Sequence, residues 1–323
     1  MTWWHALVAA GAIPGQGGKS DEPETAELAD LVEGTELLAH PLPVRAGVML
    51  PSVVSFLNGI ERWSVVAYDG VVHVVNAYVA AAVRRRDRQG VLHTTIERSR
   101  TFAIAAVDRM RPAFREVLER STSDIELIDG ALVDQPARYL EKVEATVRRA
   151  RAHLERDLAE QSIGALGDEE WLVLDGLLSR SPDVARHPRA LGVITTHGAR
   201  FLEGRGLERA LTLPAGHRTS VFAVRGGHTR TEVYSWYLRA WPWEGNELLY
   251  GLLRIEARAH RDTIAQATAL SGWLWAERSP LATPATRWDR LLYPLHHVEE
   301  YLKARAPRDL QSRRASRLPR TGT

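Results

Sequence analysis

Asp175 ends the run Trp171-Leu172-Val173-Leu174 and is followed by Gly176, so a carboxylate stands where an apolar stretch meets a residue that permits a sharp turn. An acid in that place can ligate a hard divalent cation if other elements bring it oxygen-bearing neighbours, because magnesium and manganese prefer oxygen ligands. The acids available are Glu155 and Glu160 on a long amphipathic segment, and Asp289, Glu299 and Glu300 near the C-terminus. The same dipeptide also describes an ordinary turn, since Asp69-Gly70 and Asp129-Gly130 repeat it. Taken singly, each helix acid reads as a solvated charge.

Other chemistries are excluded more firmly. The chain has no cysteine, which removes disulfides, thiolate-bound zinc, iron–sulfur clusters and a thiol nucleophile. It has no Walker A loop, no G-x-S-x-G elbow, no H-E-x-x-H pair and no dinucleotide fingerprint after a strand. A sugar- or nucleotide-binding enzyme on another α/β fold therefore lacks a phosphate loop to recommend it. Of 12 histidines only His296-His297 are adjacent, and neighbours on a helix point about 100° apart, a poor ligand geometry.

The cations are unusual in kind. Among 42 basic residues only Lys19, Lys142 and Lys303 are lysine, and the remainder are arginine, the better bidentate partner for phosphate. A GC-rich coding bias produces the same skew. A net charge of +2 is too small to argue for nucleic acid by itself. Arg200 and Arg218, the latter in the loop 212–220, are placed to meet phosphates. The clusters Arg84–Arg88 and Arg148–Arg151 read as solvated faces. Tyr234, Trp236, Tyr237, Trp241 and Trp243 can stack unpaired bases, but aromatics this dense more often fill a core or a dimer interface.

The elements that must position these groups can be read from periodicity. With 323 residues, 45% hydrophobic and 25% charged, the chain holds one elaborate domain or two ordinary ones. A short N-terminal helix, a Gly/Pro-rich link over 11–25 and a helix over Ala26–Leu38 open it. Short strands are predicted at Ser52–Leu57, ending at Asn58-Gly59, at Trp63–Tyr68, and after an Asp69-Gly70 hairpin at Val71–Val75. Phe102, Ala106, Met110 and Phe114 recur at helical spacing. A strand at Ile125–Ile128 precedes a long helix over Pro136–Gln161, striped by Leu140, Val143, Val147, Ala150, Leu154 and Leu158.

After the Trp171–Asp175 strand come strands at Leu191–Ile194, Ser220–Val224, Thr231–Leu238 and Leu248–Ile255. Helices are predicted next at Ala257–Glu277 and Arg287–Arg305. The arginine-rich tail from Pro307 carries little apolar content and reads as disordered. No segment spans a membrane, because Val65–Val83 is interrupted by Asp69, His73 and Asn76, and the N-terminus lacks the basic start of a signal peptide. A cytoplasmic location is the expectation. The order of elements predicts a mixed α/β domain with helices against a central sheet.

Several of these pieces together resemble the NurA nuclease family. They are Phe56-Leu57-Asn58-Gly59-Ile60-Glu61-Arg62, Arg148–Leu158 on the long helix, Trp171–Leu178, Leu191–Leu202, and Tyr293-Pro294-Leu295 leading the last helix. They stand in the family's order across residues 45–305. The resemblance implies an α/β fold with an RNase H-like mixed sheet flanked by helices. Residues 1–44 are then an N-terminal helical segment and linker, and 306–323 a basic tail.

The resemblance further implies a Mn2+- or Mg2+-dependent DNA nuclease that acts in DNA end processing. Such a nuclease works as a homodimer with a HerA-like hexameric ATPase. Asp175 matches the strand acid and Glu155 the helix acid, both as metal ligands. Glu299 falls near a C-terminal position that is commonly histidine. Asn58 takes the first-strand position, and Arg200, Arg218 and His197 are the residues placed against DNA. Two departures stand out: the first-strand motif normally reads Asp-Gly where this chain has Asn58-Gly59, and a frequent lysine is Thr195 here. A catalytically silent NurA-like subunit that binds DNA or the ATPase is the alternative expectation.

Overall fold

A computed structural model describes residues 25–26, 29–42, 51–197, 199–225, 231–278 and 292–307. The strands, in chain order, are β1 (Thr25–Ala26), β2 (Asp30–Leu31), β3 (Ala39–Pro41), β4 (Val53–Asp69), β5 (Val72–Arg86), β6 (Leu92–Ala105) and β7 (Ile125–Leu127). They continue as β8 (Glu170–Asp175), β9 (Ala190–Ile194), β10 (Ala199–Arg200), β11 (His217–Thr219), β12 (Phe222–Arg225), β13 (Glu232–Arg239) and β14 (Leu252–Arg258). The helices are α1 (Pro112–Ser121), α2 (Pro136–Ile163), α3 (Pro182–Arg186), α4 (Gly204–Leu211), α5 (Arg261–Ala276) and α6 (Tyr293–Arg305). The chain is mixed α/β, with a large sheet of parallel and antiparallel strands flanked by helices. No helix among the described residues is long and apolar enough to cross a membrane.

Two compact units divide the chain. The first comprises Met1–Phe56, Arg85–His93 and Ala159–His296; the second comprises Leu57–Arg84, Thr94–Leu158 and His297–Thr323. In the first unit the strand order is β2-β12-β13-β14-β9-β8, then the opening residues of β4. Strands β8 and β9 run parallel, with Asp175 opposite Val193, and β14 lies antiparallel to β9. Residues Glu170 to Leu174 are all buried, as expected of a strand covered on both faces. The core gathers Phe222, Trp236, Ile255, Leu270 and Trp273, and the Trp236 indole N–H donates to Ser271 Oγ at 2.8 Å. Trp236 and Tyr237 are buried, so core filling takes two of this aromatic group, while Tyr234, Trp241 and Trp243 are half-buried.

Arg239 in the same unit is wholly buried, and among the described residues no carboxylate stands at hydrogen-bond distance from it. It donates instead to the carbonyls of Leu213 (3.1 Å), Leu248 (3.1 Å), Leu211 and Tyr250, and burial pulls its pKa down to about 10. A planar, five-donor fork suits this work, because its donors can reach several backbone carbonyls at once.

In the second unit the order is β4-β5-β6-β7. Gly70 and Val71 alone link β4 to β5, with Gly70 at φ +62°, and so short a link requires antiparallel pairing. Helix α2 lays Tyr139, Val143 and Val147 onto Val72, Val75, Ala77, Phe102 and Ile104. The Tyr139 hydroxyl donates to the His73 carbonyl at 2.8 Å and accepts from the Ala106 N–H at 3.2 Å.

Several expectations need correction. Ser52–Leu57 and Trp63–Tyr68 are parts of one strand, β4, because Asn58-Gly59 is carried through mid-strand and does not turn. The helical spacing from Phe102 to Phe114 is overridden: Phe102 to Ala105 finish β6, a single 3-10 turn comes next at Val107–Arg109, and α1 begins only at Pro112. Where a helix was expected over Ala26–Leu38, the described residues include the short strand β2, which pairs with β12. The cluster at Arg84–Arg88 is not simply solvated. Arg86 forms a two-pronged bond to Glu277 (2.5 and 2.8 Å), and Arg85 donates to Glu170 at 3.0 Å. The N-terminal helix and the tail from 308 lie outside the described residues, and α6 is described from Tyr293 onward.

Candidate functional site

Asp175 lies at the end of β8, and the turn after it is built from several parts of the first unit. Gly176 takes φ +136°, a region that L side chains rarely adopt, and its N–H donates to the Val193 carbonyl at 2.9 Å. The chain then folds over Gly192 of β9. A Cβ on Gly192 would stand 2.5 Å from the Gly176 carbonyl oxygen and 3.2 Å from the Leu178 nitrogen. Glu256, opposite Gly192 on β14, accepts the N–H of Leu178 at 2.8 Å and of Ser179 at 3.4 Å.

That carboxylate is 1% exposed and its counter-charge is the buried Arg254, whose Nη1 is 2.8 Å away. Arg254 in turn reaches Ser235 Oγ at 3.3 Å and stacks 4.4 Å over the Phe201 ring. Sequence reading missed Glu256. Its signal was available, since Arg254 and Glu256 are the two charges inside the otherwise apolar run Leu252 to Ala257.

In the second unit, the Glu155 side chain packs on the residue that follows Asn58. Asn58 is buried in β4, and its Oδ1 accepts the Gly59 N–H at 2.7 Å. Glu155, buried on α2, lies against Gly59. A Cβ there would overlap Glu155 Oε1 and stand 3.0 Å from its Cγ and Cδ. The strand can therefore carry only glycine after Asn58 if the helix acid is to keep this seat. Arg151, one turn before Glu155, brings Nε to 3.6 Å from Glu155 and 3.6 Å from Glu61. These are charge contacts longer than a hydrogen bond.

The remaining candidates have varied placements. Glu299 on α6 is ion-paired to Lys303 at 2.8 Å, one turn along the same helix. Glu160 accepts from Ser181 Oγ at 2.8 Å, while Asp289 lies outside the described residues. His197 donates through Nε2 to the Leu252 carbonyl at 3.0 Å. Arg200 is the second residue of β10. Arg218 was expected to meet phosphates but is 3% exposed. It is held by both oxygens of Glu33 (2.7 and 2.8 Å) and by Thr268 Oγ1 (2.9 Å), so its charge is engaged inside the first unit. Burial raises the Glu33 pKa, but the bonds from Arg218 and the Val221 N–H outweigh it and hold Glu33 below the usual carboxylate range.

Asn58 and Glu155 in the second unit and Asp175 in the first each carry an oxygen donor of the kind a hard divalent cation takes. Among the described residues no group of three or more His, Asp or Glu side chains comes together as a ligand set. A cavity of about 530 Å³ in the first unit, bordered by Trp171, Arg189, Arg258 and Asp262, includes none of the candidate residues. No protein-family model matches the chain, and no curated protein does.

Proposed function

We propose that this chain is a NurA-type DNA nuclease on an RNase H-like core, dependent on Mn2+ or Mg2+. Its setting is DNA end processing, as a homodimer with a HerA-like hexameric ATPase. The RNase H-like part is supported by the order of elements: a β4-β5-β6 meander, the long helix α2, and the parallel pair β8 and β9 joined through α3. The observation that carries the nuclease reading is the seat of Glu155. A helix acid is buried directly on the glycine that follows Asn58, and Gly59 makes room for it by having no side chain.

By the resemblance Glu155 and Asp175 would be the metal-holding acids, and Asn58 stands at the first-strand position with an amide in place of a carboxylate. A divalent ion held there would acidify a water and stabilise the leaving oxygen of a phosphodiester. The donor types fit, but the set is one negative charge short of two carboxylates plus an aspartate at the first strand.

That shortfall favours a second reading, a silent NurA-like subunit that binds DNA or the ATPase. Arg151 supports it, since its cation already stands beside Glu155 and Glu61. One assay separates the two: linear and single-stranded DNA incubated with the full chain and Mn2+, for the native chain, Asp175→Ala and Asn58→Asp. Cleavage by the native chain that Asp175→Ala abolishes, with its unfolding curve unchanged, supports the nuclease. Cleavage only by Asn58→Asp supports the silent subunit. No cleavage and no Mn2+ binding by any of them ends the nuclease reading; the silent subunit falls only if the chain also retains neither DNA nor a HerA-like ATPase.

A further inference from the structure

We infer that Glu256 is a positioning residue for Asp175, its carboxylate fixing the turn on which that acid ends. The inference rests on the reading of Asp175 as a metal-holding acid. Three features of the first unit converge on the four residues after Asp175. Gly176 supplies a backbone conformation that a side chain would strain. Gly192 leaves room for the Gly176 carbonyl and Leu178 to press onto β9. Glu256 then accepts two successive N–H groups, those of Leu178 and Ser179, which open the 3-10 turn Leu178–Arg180.

A charge this buried is costly to keep unless it is paired and hydrogen-bonded, and here its partners are Arg254 and the turn itself. Strand β8 already fixes the backbone up to Asp175 through its register with β9. Beyond it the glycine pair makes room for the turn, and Glu256 is the carboxylate that accepts its two leading amides. Without the Glu256 anchor, Gly176 leaves the chain free to choose another exit, and the Asp175 carboxylate would move with it. The role depends on reach: the carboxylate oxygen must extend from β14 across Gly192 to the turn. A group that merely neutralised Arg254 would need the charge and not the reach.

Two full-length variants separate these roles. Glu256→Gln keeps the length and one accepting oxygen but loses the charge. Glu256→Asp keeps the charge and is one methylene short. Hydrogen exchange at the Leu178 and Ser179 amides and the half-saturation for Mn2+ are the readouts. For Glu256→Asp we expect exchange faster by about tenfold or more, as loss of a buried bond to a charged acceptor implies. We also expect Mn2+ affinity weaker by about tenfold. Glu256→Gln leaves Arg254 without its counter-charge and so lowers the stability of the whole unit. Its exchange at Leu178 and Ser179, taken relative to other buried amides of the first unit, and its Mn2+ half-saturation should both stay within about threefold of the native chain.

The reverse pattern, or equal behaviour of the two variants, overturns the inference. Should Glu256→Asp fail to fold, Glu256→Gln decides alone: retained protection supports the positioning role and tenfold faster exchange overturns it. A native chain that neither binds Mn2+ nor cuts DNA overturns the reading of Asp175 on which the inference rests, whereas amide exchange, read without metal or DNA, tests separately whether Glu256 fixes the turn.

Discussion

Gly192 and Gly59 do the same job in different surroundings. Each is a strand residue with no side chain, and each lets another part of its own unit come closer than a Cβ would allow. Over Gly192 the intruder is backbone, the Gly176 carbonyl and the Leu178 nitrogen, tied down by Glu256 and Arg254. Over Gly59 it is the end of one side chain, that of Glu155, with Arg151 at charge-contact distance. The first intruder is backbone, which cannot move without the turn; the second is the end of a side chain, which has rotatable bonds. The Asp175 region should therefore be the stiffer of the two, and the Glu155 region the one that can adjust to a ligand.

Arg254→Ala tests the first half most severely. It strips the counter-charge from a buried carboxylate, and breaking such a pair costs about 3–5 kcal/mol, readable as a fall in the denaturant midpoint at constant slope. Gly192→Ala should cost about 1–3 kcal/mol in the same measurement, because backbone must shift to clear the new methyl. Gly59→Ala should cost less than Gly192→Ala, since the Glu155 carboxylate can swing aside, yet remove any Mn2+-dependent cleavage. If the two glycine variants are equally destabilised, the contrast between stiff and adjustable sites fails.

The smallest effects concern two ion pairs with opposite exposure. Arg218 is buried around Glu33, while Arg111, largely in solvent, holds Asp69 at the end of β4 through its guanidinium (2.5 Å) and backbone N–H (2.7 Å). The Asp69 carboxyl is held low by the Arg111 backbone N–H, a bond that outweighs burial, with its guanidinium adding to the effect. A carboxylate depressed on folding stabilises the native state above its unfolded pKa, and that contribution disappears as pH falls through the folded value. Glu33→Gln and Asp69→Asn should thus each be less stable than the native chain at neutral pH. Both differences should shrink on acidification below about pH 4, with Glu33→Gln the larger at neutrality. Denaturant curves at the two pH values read both.

Legibility in the sequence depended on whether the determinant was local. The α2 stripe, the buried β8 run and the Asp69-Gly70 hairpin arise from spacing and turn chemistry within a few residues, and all three are present. Asn58-Gly59 reads locally as a strand end. It lies mid-strand because the ladder on either side of β4 outweighs the turn preference of two residues. Phe102 to Phe114 keeps a helical period that the pairing of β6 with β7 overrides.

The site divides along the same line. Residue type and position point to Asp175 without any coordinates, while Asn58 and Glu155 are singled out by the resemblance to the NurA family. That Glu155 is seated on Gly59, that Arg218 is committed to Glu33 and that Glu256 grips the turn after Asp175 were decided only by tertiary structure. Glu256 is 78 residues from Leu178, and Arg218 is 185 from Glu33. Partners so remote are chosen by which strands become neighbours, and a charge takes its function from the partner that desolvation forces on it.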